Sequence, residues 1–388
     1  MLNSAQIAII KATAPVVAQH ARTITGVFYP LMFERYPEVR AVFNQAHQHG
    51  GSQPRALADA IIAYASNIDN LGVLTQAVER IVQKHVSLNI TPPQYEIVGE
   101  CLMEAIGRVL GEAVTPEIAD AWGAAYWQLA ELLIAAEEAE YQRKQALKGG
   151  WRGARRLRVV STRRESAVIK SFLLEAVDGG ELMDFKPGQY LGVRINIDGE
   201  VVQRNYSLSD SPNGRTYRIS VKREPGGRVS GFLHDRVAEG FELEAFAPAG
   251  EFVLDEGNGP VLILTAGVGQ TPALPMLDQA LASGREVVYL HAAINGATHA
   301  FRDRIDALAA AHPRLKHAYI YSEPAADDQP HHRGFVTREL LQQYLPAQAE
   351  VYFLGPKPFM AGVKRWLKDL GVRDQQVRYE FFGPLEAL

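Results

Sequence analysis

The 388-residue chain has one cysteine, Cys101. That excludes an internal disulfide and any iron–sulfur cluster held by cysteine thiolates, and it fits a reducing compartment. No run approaches the ~18 apolar residues of a membrane-spanning helix. The opening Met1-Leu2-Asn3-Ser4-Ala5-Gln6 lacks the cationic start of a signal peptide, and Lys11 interrupts the apolar stretch behind it. Positive charge is not in excess either. The net charge of −4 removes the electrostatic case for nucleic acid. Internal repeats and low-complexity tracts are absent. The expectation is a soluble, cytoplasmic protein with no integral membrane segment. Hydrophobic residues make up 47% and charged residues 22%, ordinary for a globular chain long enough for two or three domains.

Three stretches of different texture follow one another. Residues 1–147 read as helical. Ile7, Ile10, Ala14, Val17 and Ala18 recur at helical spacing, as do the apolar residues from Ala56 to Tyr64 and from Ala121 to Tyr141. Pro92, Pro93 and Pro116 stand where helices start, with Thr91 and Thr115 as N-caps. Tyr29 falls near the end of a second helix. Gly149-Gly150 then marks a linker. From Leu157, short β-rich runs separated by Gly, Pro and Asp suggest an antiparallel barrel: Val168–Leu174, Gln189–Ile197, Tyr217–Lys222. From Val261, strands alternate with helices, the pattern of a parallel α/β sheet. The expected division is 1–147, 148–257 and 258–388.

Motifs in the last two stretches point to flat cofactors with phosphates. Arg204-Asn205-Tyr206-Ser207 puts a cation, an aromatic ring and a hydroxyl on one strand edge, after Pro187-Gly188-Gln189-Tyr190. A cation meets phosphate, and a ring stacks on a heterocycle. Taken singly, Arg204 reads as a surface arginine. Gly226-Gly227-Arg228-Val229-Ser230 opens a helix with Ser230 as its N-cap, a second place for phosphate. Gly267-Val268-Gly269-Gln270-Thr271-Pro272 runs from an apolar strand into a helix start, with Pro272 in the first turn. Its glycines admit a pyrophosphate to the backbone. Leu354-Gly355-Pro356 and the aromatic tail Phe381-Phe382-Gly383-Pro384 follow. Together these segments resemble the ferredoxin-reductase family over roughly residues 155–388. The resemblance implies that Tyr190, Arg204 to Ser207, Gly227, Val229 and Ser230 hold FAD. It implies that Gly267 to Pro272 hold NADH or NADPH, and that Phe382, beside Phe381, Gly383 and Pro384, covers the flavin face. Leu354 stands where that family usually has cysteine. Arg302, Arg304 and Ser322 are candidates for a 2′-phosphate contact, which leaves the choice of nucleotide open.

Eleven histidines are available to hold a metal. His85 stands out in the helical run Ile81-Val82-Gln83-Lys84-His85-Val86-Ser87-Leu88, behind Gln53 and Leu57, which share a helix face. Taken singly, Tyr29 reads as a buried tyrosine bonded to a carbonyl, and Glu137 as part of a solvated acidic face. As a set with Ala63-Tyr64-Ala65-Ser66-Asn67-Ile68, Tyr95-Glu96-Ile97-Val98-Gly99-Glu100 and Asp120-Ala121-Trp122-Gly123, they resemble a bacterial globin. The whole chain therefore resembles a flavohaemoglobin: an all-α globin, then an antiparallel β-barrel FAD domain, then an α/β parallel-sheet NAD(P) domain.

That resemblance implies His85 as the iron ligand of haem b and Phe43 as the aromatic wedging the haem. Tyr29, Gln53 and Leu57 become the distal pocket, Tyr95 and Glu137 the pair holding His85, and Lys84 a residue between haem and flavin. It also implies nitric oxide dioxygenation, with NO and O2 converted to nitrate at the expense of NAD(P)H, in a monomer. Two other readings are a reductase of ferric, quinone or peroxide acceptors and a haem-based O2 or NO sensor. Reductase parts would be superfluous in a pure sensor.

Overall fold

The tertiary structure is a computed structural model. It describes residues 2–42 and 52–382; the side chains of residues 52–56 and 58 also lie outside the description. Two compact units are present: the first takes the chain up to Ala146 together with Val201–Arg204, and the second takes Leu147–Glu200 and Asn205–Phe382.

The first unit is helical. Helix α1 spans Ser4–Arg35 and is capped by Asn3, whose side chain accepts from the Gln6 amide at 2.9 Å. Tyr29 therefore belongs to this helix and not to a second one. Pro15 and Pro30 lie inside it, yet Ile10, Val17, Ala21, Ile24, Phe28 and Met32 keep one buried stripe along its length. Each proline deletes one hydrogen bond, and the continuous apolar stripe outweighs that loss. Helices α2 (Ser52–Ser66), α3 (Thr75–Leu88), α4 (Pro92–Leu110) and α5 (Pro116–Ala146) follow. Thr91 and Thr115 do precede their prolines. The Thr91 amide is bonded by Gln94 Oε1 at 2.6 Å, and Thr115 Oγ1 accepts from the Ile118 amide. Asn89 ends α3 in the left-handed conformation. The main core gathers Phe28, Met32, Leu102, Ile106 and Trp122, and a second cluster of Val82, Val86, Tyr95 and Leu133 binds α3 to α4 and α5.

The second unit begins with a six-stranded antiparallel sheet: β1 (Arg155–Arg164), β2 (Ile169–Ala176), β3 (Tyr190–Ile197), β4 (Glu200–Ser207), β5 (Thr216–Lys222) and β6 (Glu242–Ala249). Their order is β4-β3-β6-β1-β2-β5. Leu208, just beyond β4, bridges Ile219 on β5, so the two edge strands meet and the sheet closes as a barrel. Helix α6 (Arg228–Arg236) lies between β5 and β6.

The remaining strands form a parallel sheet, ordered β10-β9-β8-β7-β11-β12. They are β7 (Val261–Ala266), β8 (Val287–Ala293), β9 (Leu315–Tyr321), β10 (His332–Arg333), β11 (Glu350–Leu354) and β12 (Val377–Tyr379), with helices α7 (Ala273–Ala282), α8 (Arg302–Ala311), α9 (Arg338–Tyr344) and α10 (Lys357–Asp369). All of β7 is buried, as a strand covered on both faces requires. The chain leaves β7 toward β8 and β9, then returns to the other side of β7 as β11. The strand order thus reverses at β7, and the crevice beyond the carboxyl ends of β7 and β11 is where such sheets bind ligands. Among the described residues, no helix is long and apolar enough to cross a membrane.

Gly99 on α4 is needed for packing. A Cβ there would lie 2.5 Å from the Tyr126 ring on α5. Gly99→Ala is expected to destabilise the helical unit by about 1–3 kcal/mol. Chemical denaturation measures it, and an unchanged midpoint would show that the α4–α5 contact relaxes freely.

Candidate functional site

The strongest constellation lies where α3, α4 and α5 meet. His85 sits in the last turn of α3, Tyr95 in the first turn of α4, and Glu137 on α5. His85 Nδ1 is 2.7 Å from Glu137 Oε1 and 2.9 Å from the Tyr95 hydroxyl. Tyr95 donates to the same Glu137 oxygen at 2.5 Å. Glu137 is 2% exposed, so its charge has traded water for these two donors. Burial, reinforced by the adjacent carboxylate, pushes the Tyr95 phenol up, which keeps it a protonated donor. Glu137, not its neighbour Glu138, reaches the histidine; Glu138 accepts instead from Gln142 at 2.9 Å. Further bonds hold the three helices in register. Tyr126 donates to the Tyr95 carbonyl, Gln83 to Glu140, and Tyr141 to the Ile90 carbonyl. With Nδ1 engaged, Nε2 is the ring nitrogen that could ligate a metal.

On the other elements of this unit, Tyr29 is 6% exposed and packs edge-on against Phe28, with ring centroids 4.8 Å apart. Leu57 on α2 joins the main core. Lys84 is exposed beside His85. Phe43 and the Gln53 side chain lie outside the described residues, as do Gly383 and Pro384. Tyr64, at the end of α2, is no more than part of a motif in the sequence; its buried hydroxyl has no partner among the described residues.

In the barrel, Arg204, Asn205 and Tyr206 are half-buried on the edge strand β4, and Ser207 and Tyr190 are buried. The N-cap of α6 is Gly227, not Ser230 as the sequence suggested. Ser230 lies inside the first turn, where its hydroxyl accepts from the Glu224 amide at 3.1 Å. A Cβ on Gly227 would collide with that hydroxyl at 2.5 Å, so the glycine takes the cap. Val229 is buried beneath the turn.

At the sheet's reversal point, Gly267 adopts a φ of 55° and opens a 3-10 turn over Gly267–Gln270. Pro272 is the N-cap of α7 and so precedes the helix instead of lying in its first turn. A Cβ on Gly269 would be 2.7 Å from the Leu354 carbonyl, so that turn and the end of β11 can touch only through glycine. Val268 is half-buried, Thr271 buried, and Gln270 fully buried with Tyr289 donating to it at 3.4 Å. The Leu354 side chain is packed in the sheet's core. Phe381 packs with Tyr379 against a second core of the sheet, that of Leu262, Leu264 and Phe353, whereas Phe382 is 52% exposed. Of the candidates for a 2′-phosphate, Arg304 is tied to Asp278 at 2.6 Å and Arg302 lies over the Tyr319 ring. Burial pushes His299 down to about 3, and it stacks on the fully buried His291 at 4.5 Å; both are neutral core residues that no sequence signal marks.

Three family descriptions match the chain: Globin over residues 26–133, Oxidoreductase FAD-binding domain over 156–254, and Oxidoreductase NAD-binding domain over 263–365. Curated relatives called Flavohemoprotein cover all of it, with 54% identity in Pseudomonas aeruginosa over 100% of both chains and 51% in a Burkholderia species, again over 100% of both. The chain belongs to the flavohemoprotein family. Among solved structures it is similar to a flavohemoglobin from Malassezia yamatoensis with bound FAD and heme. There the TM-score is 0.88 and the identity 28%, covering 98% of this chain and 100% of that one. It is also similar to the flavohem-like FAD/NAD-binding domain of a nitric oxide dioxygenase from Vibrio cholerae. That match has a TM-score of 0.56 and 36% identity, covering 59% of this chain and 99% of that one.

This flavohemoprotein is thus an oxidoreductase with haem, FAD and a nicotinamide nucleotide as cofactors. Its residues fit those groups. Haem iron needs only one axial protein donor, and the His85 ring held at Nδ1 by Glu137 fits that need. The tight Gly269 contact and the left-handed Gly267 suit a backbone that approaches a pyrophosphate. His85→Ala is expected to abolish stable haem binding while FAD is retained. The absorption spectrum of the purified variant checks this, and a normal Soret band would sink it.

Proposed function

We propose that this flavohemoprotein is a nitric oxide dioxygenase, converting NO and O2 to nitrate with NAD(P)H as the electron source. The observation that carries the reading is the buried carboxylate on His85 Nδ1. It makes the imidazole a stronger donor through Nε2, a push that oxygen activation needs and oxygen storage does not. When bound, FAD supplies two-electron chemistry with the nucleotide, and haem b supplies one-electron chemistry and the binding of O2.

The chain's own residues take the following parts. His85 would ligate the iron, while Glu137 and Tyr95 hold its ring at Nδ1. Tyr29 would donate a hydrogen bond to the bound oxygen, Gln53 and Leu57 would complete that pocket, Phe43 would wedge the haem, and Lys84 matches a position that the family has between haem and flavin. Tyr190, Arg204, Asn205, Tyr206 and Ser207, with Gly227, Val229 and Ser230, orient FAD. Gly267 through Pro272 take the nucleotide's pyrophosphate. Phe382, preceded by Phe381 and followed by Gly383 and Pro384, would cover the flavin face that nicotinamide must reach. The working protein is a cytoplasmic monomer of three domains, 1–147, 148–257 and 258–388. The likeness of its reductase half to that of the Vibrio cholerae nitric oxide dioxygenase supports this activity.

A hydride carries two electrons, and joining NO to O2 as nitrate takes one, so nitrate should form at two per NADH consumed. Nitrate yield under NO and O2 tests this; NADH oxidation without nitrate would point to a plain reductase. Tyr29→Phe is expected to keep haem and FAD but lose a hydrogen bond worth ~1.5–3 kcal/mol, speeding oxygen release roughly 10–150-fold. Stopped-flow oxygen displacement reads it, and an unaltered off-rate would place Tyr29 elsewhere. Phe382→Ala should shift NADH affinity and leave oxygen binding alone. The opposite pattern would assign the tail to the haem pocket.

A further inference from the structure

The flavin barrel and the nucleotide sheet are joined by a closed set of charges that no cofactor role accounts for. Asp278, on the helix that starts at the glycine turn, accepts from two sides at one oxygen. Ser211 Oγ, four residues beyond the end of β4, donates to Asp278 Oδ2 at 2.6 Å, and Arg304 Nη2 donates to it at 2.6 Å. The other end of Arg304 is 3.7 Å from Asp210 Oδ1. Asp210 is in turn 3.5 Å from Arg218 on β5, whose guanidinium lies over the Phe301 ring at 5.3 Å. Phe301, at the N-cap of α8, has a φ of 60°. A bulky aromatic in that region is strained, and such strain persists only where its surroundings over-determine it. One backbone bond crosses nearby, from the Ala167 amide to the Ala297 carbonyl at 2.8 Å.

These ion pairs are a quarter to two-fifths exposed at Asp278, Arg304 and Asp210, so each adds little to stability by itself. What the set does is geometric. It ties the segment leaving Arg204–Ser207 to the helix leaving Gly267–Gln270. Barrel and sheet lie in one compact unit, with Ile169 of β2 packed in the sheet's core, and the charges add a directional tie to that packing. Hydride transfer is sensitive to such alignment: the C4–H bond of dihydronicotinamide breaks as an N5–H bond forms on FAD, with the electron pair moving alongside. The NADH becomes NAD+, and the flavin gains two electrons with that hydrogen.

We propose that Asp278, with Ser211 and Arg304, is a positioning residue for this hydride transfer, fixing the flavin segment against the nucleotide turn. The inference rests on the reductase half working as a FAD/NAD hydride-transfer module. The test uses full-length holoprotein carrying Asp278→Asn, nearly isosteric, and separately Arg304→Ala. Anaerobic flavin reduction by NADH should slow roughly 10–100-fold with the NADH KM within about threefold, as misplacement of bound reactants predicts. The isotope effect with NADH deuterated at the transferred position should rise. The long-wavelength charge-transfer band of reduced flavin with NAD+ should weaken, while FAD content and unfolding midpoint stay at the wild-type value. Asp278→Glu should recover part of the rate. Unaltered reduction rates in both variants would overturn the proposal. So would a slowed rate that comes with lost FAD and a lowered midpoint but a normal charge-transfer band, since that is a merely structural effect. If the wild-type flavin is not reduced by NADH at all, the hydride-transfer reading itself fails, a result distinct from either.

Discussion

A carboxylate buried under a histidine is the constraint around which the helical unit is built. Glu137 at 2% exposure is tolerable only because His85 and Tyr95 both meet it. Meeting it requires three helices to hold their register at once. That explains the surrounding detail: Gly99 yielding space to Tyr126, Tyr126 on the Tyr95 carbonyl, Gln83 on Glu140, and Tyr141 on the Ile90 carbonyl. Each of these bonds alone is modest. Together they fix an imidazole so that one nitrogen is spoken for and the other is available.

The second unit depends on close backbone packing, with glycine at points where any side chain would collide, at Gly227 against Ser230 and at Gly269 against the Leu354 carbonyl. The strand order supplies the rest, because reversal at β7 opens a crevice where the two connections part. Ion pairs from Arg304 to Asp210 and Asp278 then join the two halves of this unit.

Much of the fold is legible in the sequence. The proline–threonine helix starts at Thr91 and Thr115, the short alternating strands and the α/β alternation after Val261 are local signals, and each appears in the structure. The departures are local as well. Tyr29, expected near the end of a second helix, lies on α1, because a continuous buried stripe carries that helix past Pro15 and Pro30. Serine favours an N-cap, which points to Ser230, yet Gly227 holds that position, since only glycine leaves room for the serine hydroxyl. Arg304 is placed by sequence where it could meet a phosphate and instead binds carboxylates at positions 210 and 278.

What the sequence by itself determined is the inventory: which segments are helix or strand, where glycine must stand, and which motifs belong to a flavohemoprotein. These follow from neighbours a few residues apart, whose spacing a linear reading can measure. Only the tertiary structure decided the contacts: it places Glu137, which the resemblance implied, on His85 Nδ1 52 residues away, and it brings Ser211 to Asp278, 67 residues away, which no sequence signal marks. A one-residue step on a helix turns a side chain by about 100°. Choosing between adjacent glutamates therefore needs the packed orientation of α5 against α3, which no local pattern encodes.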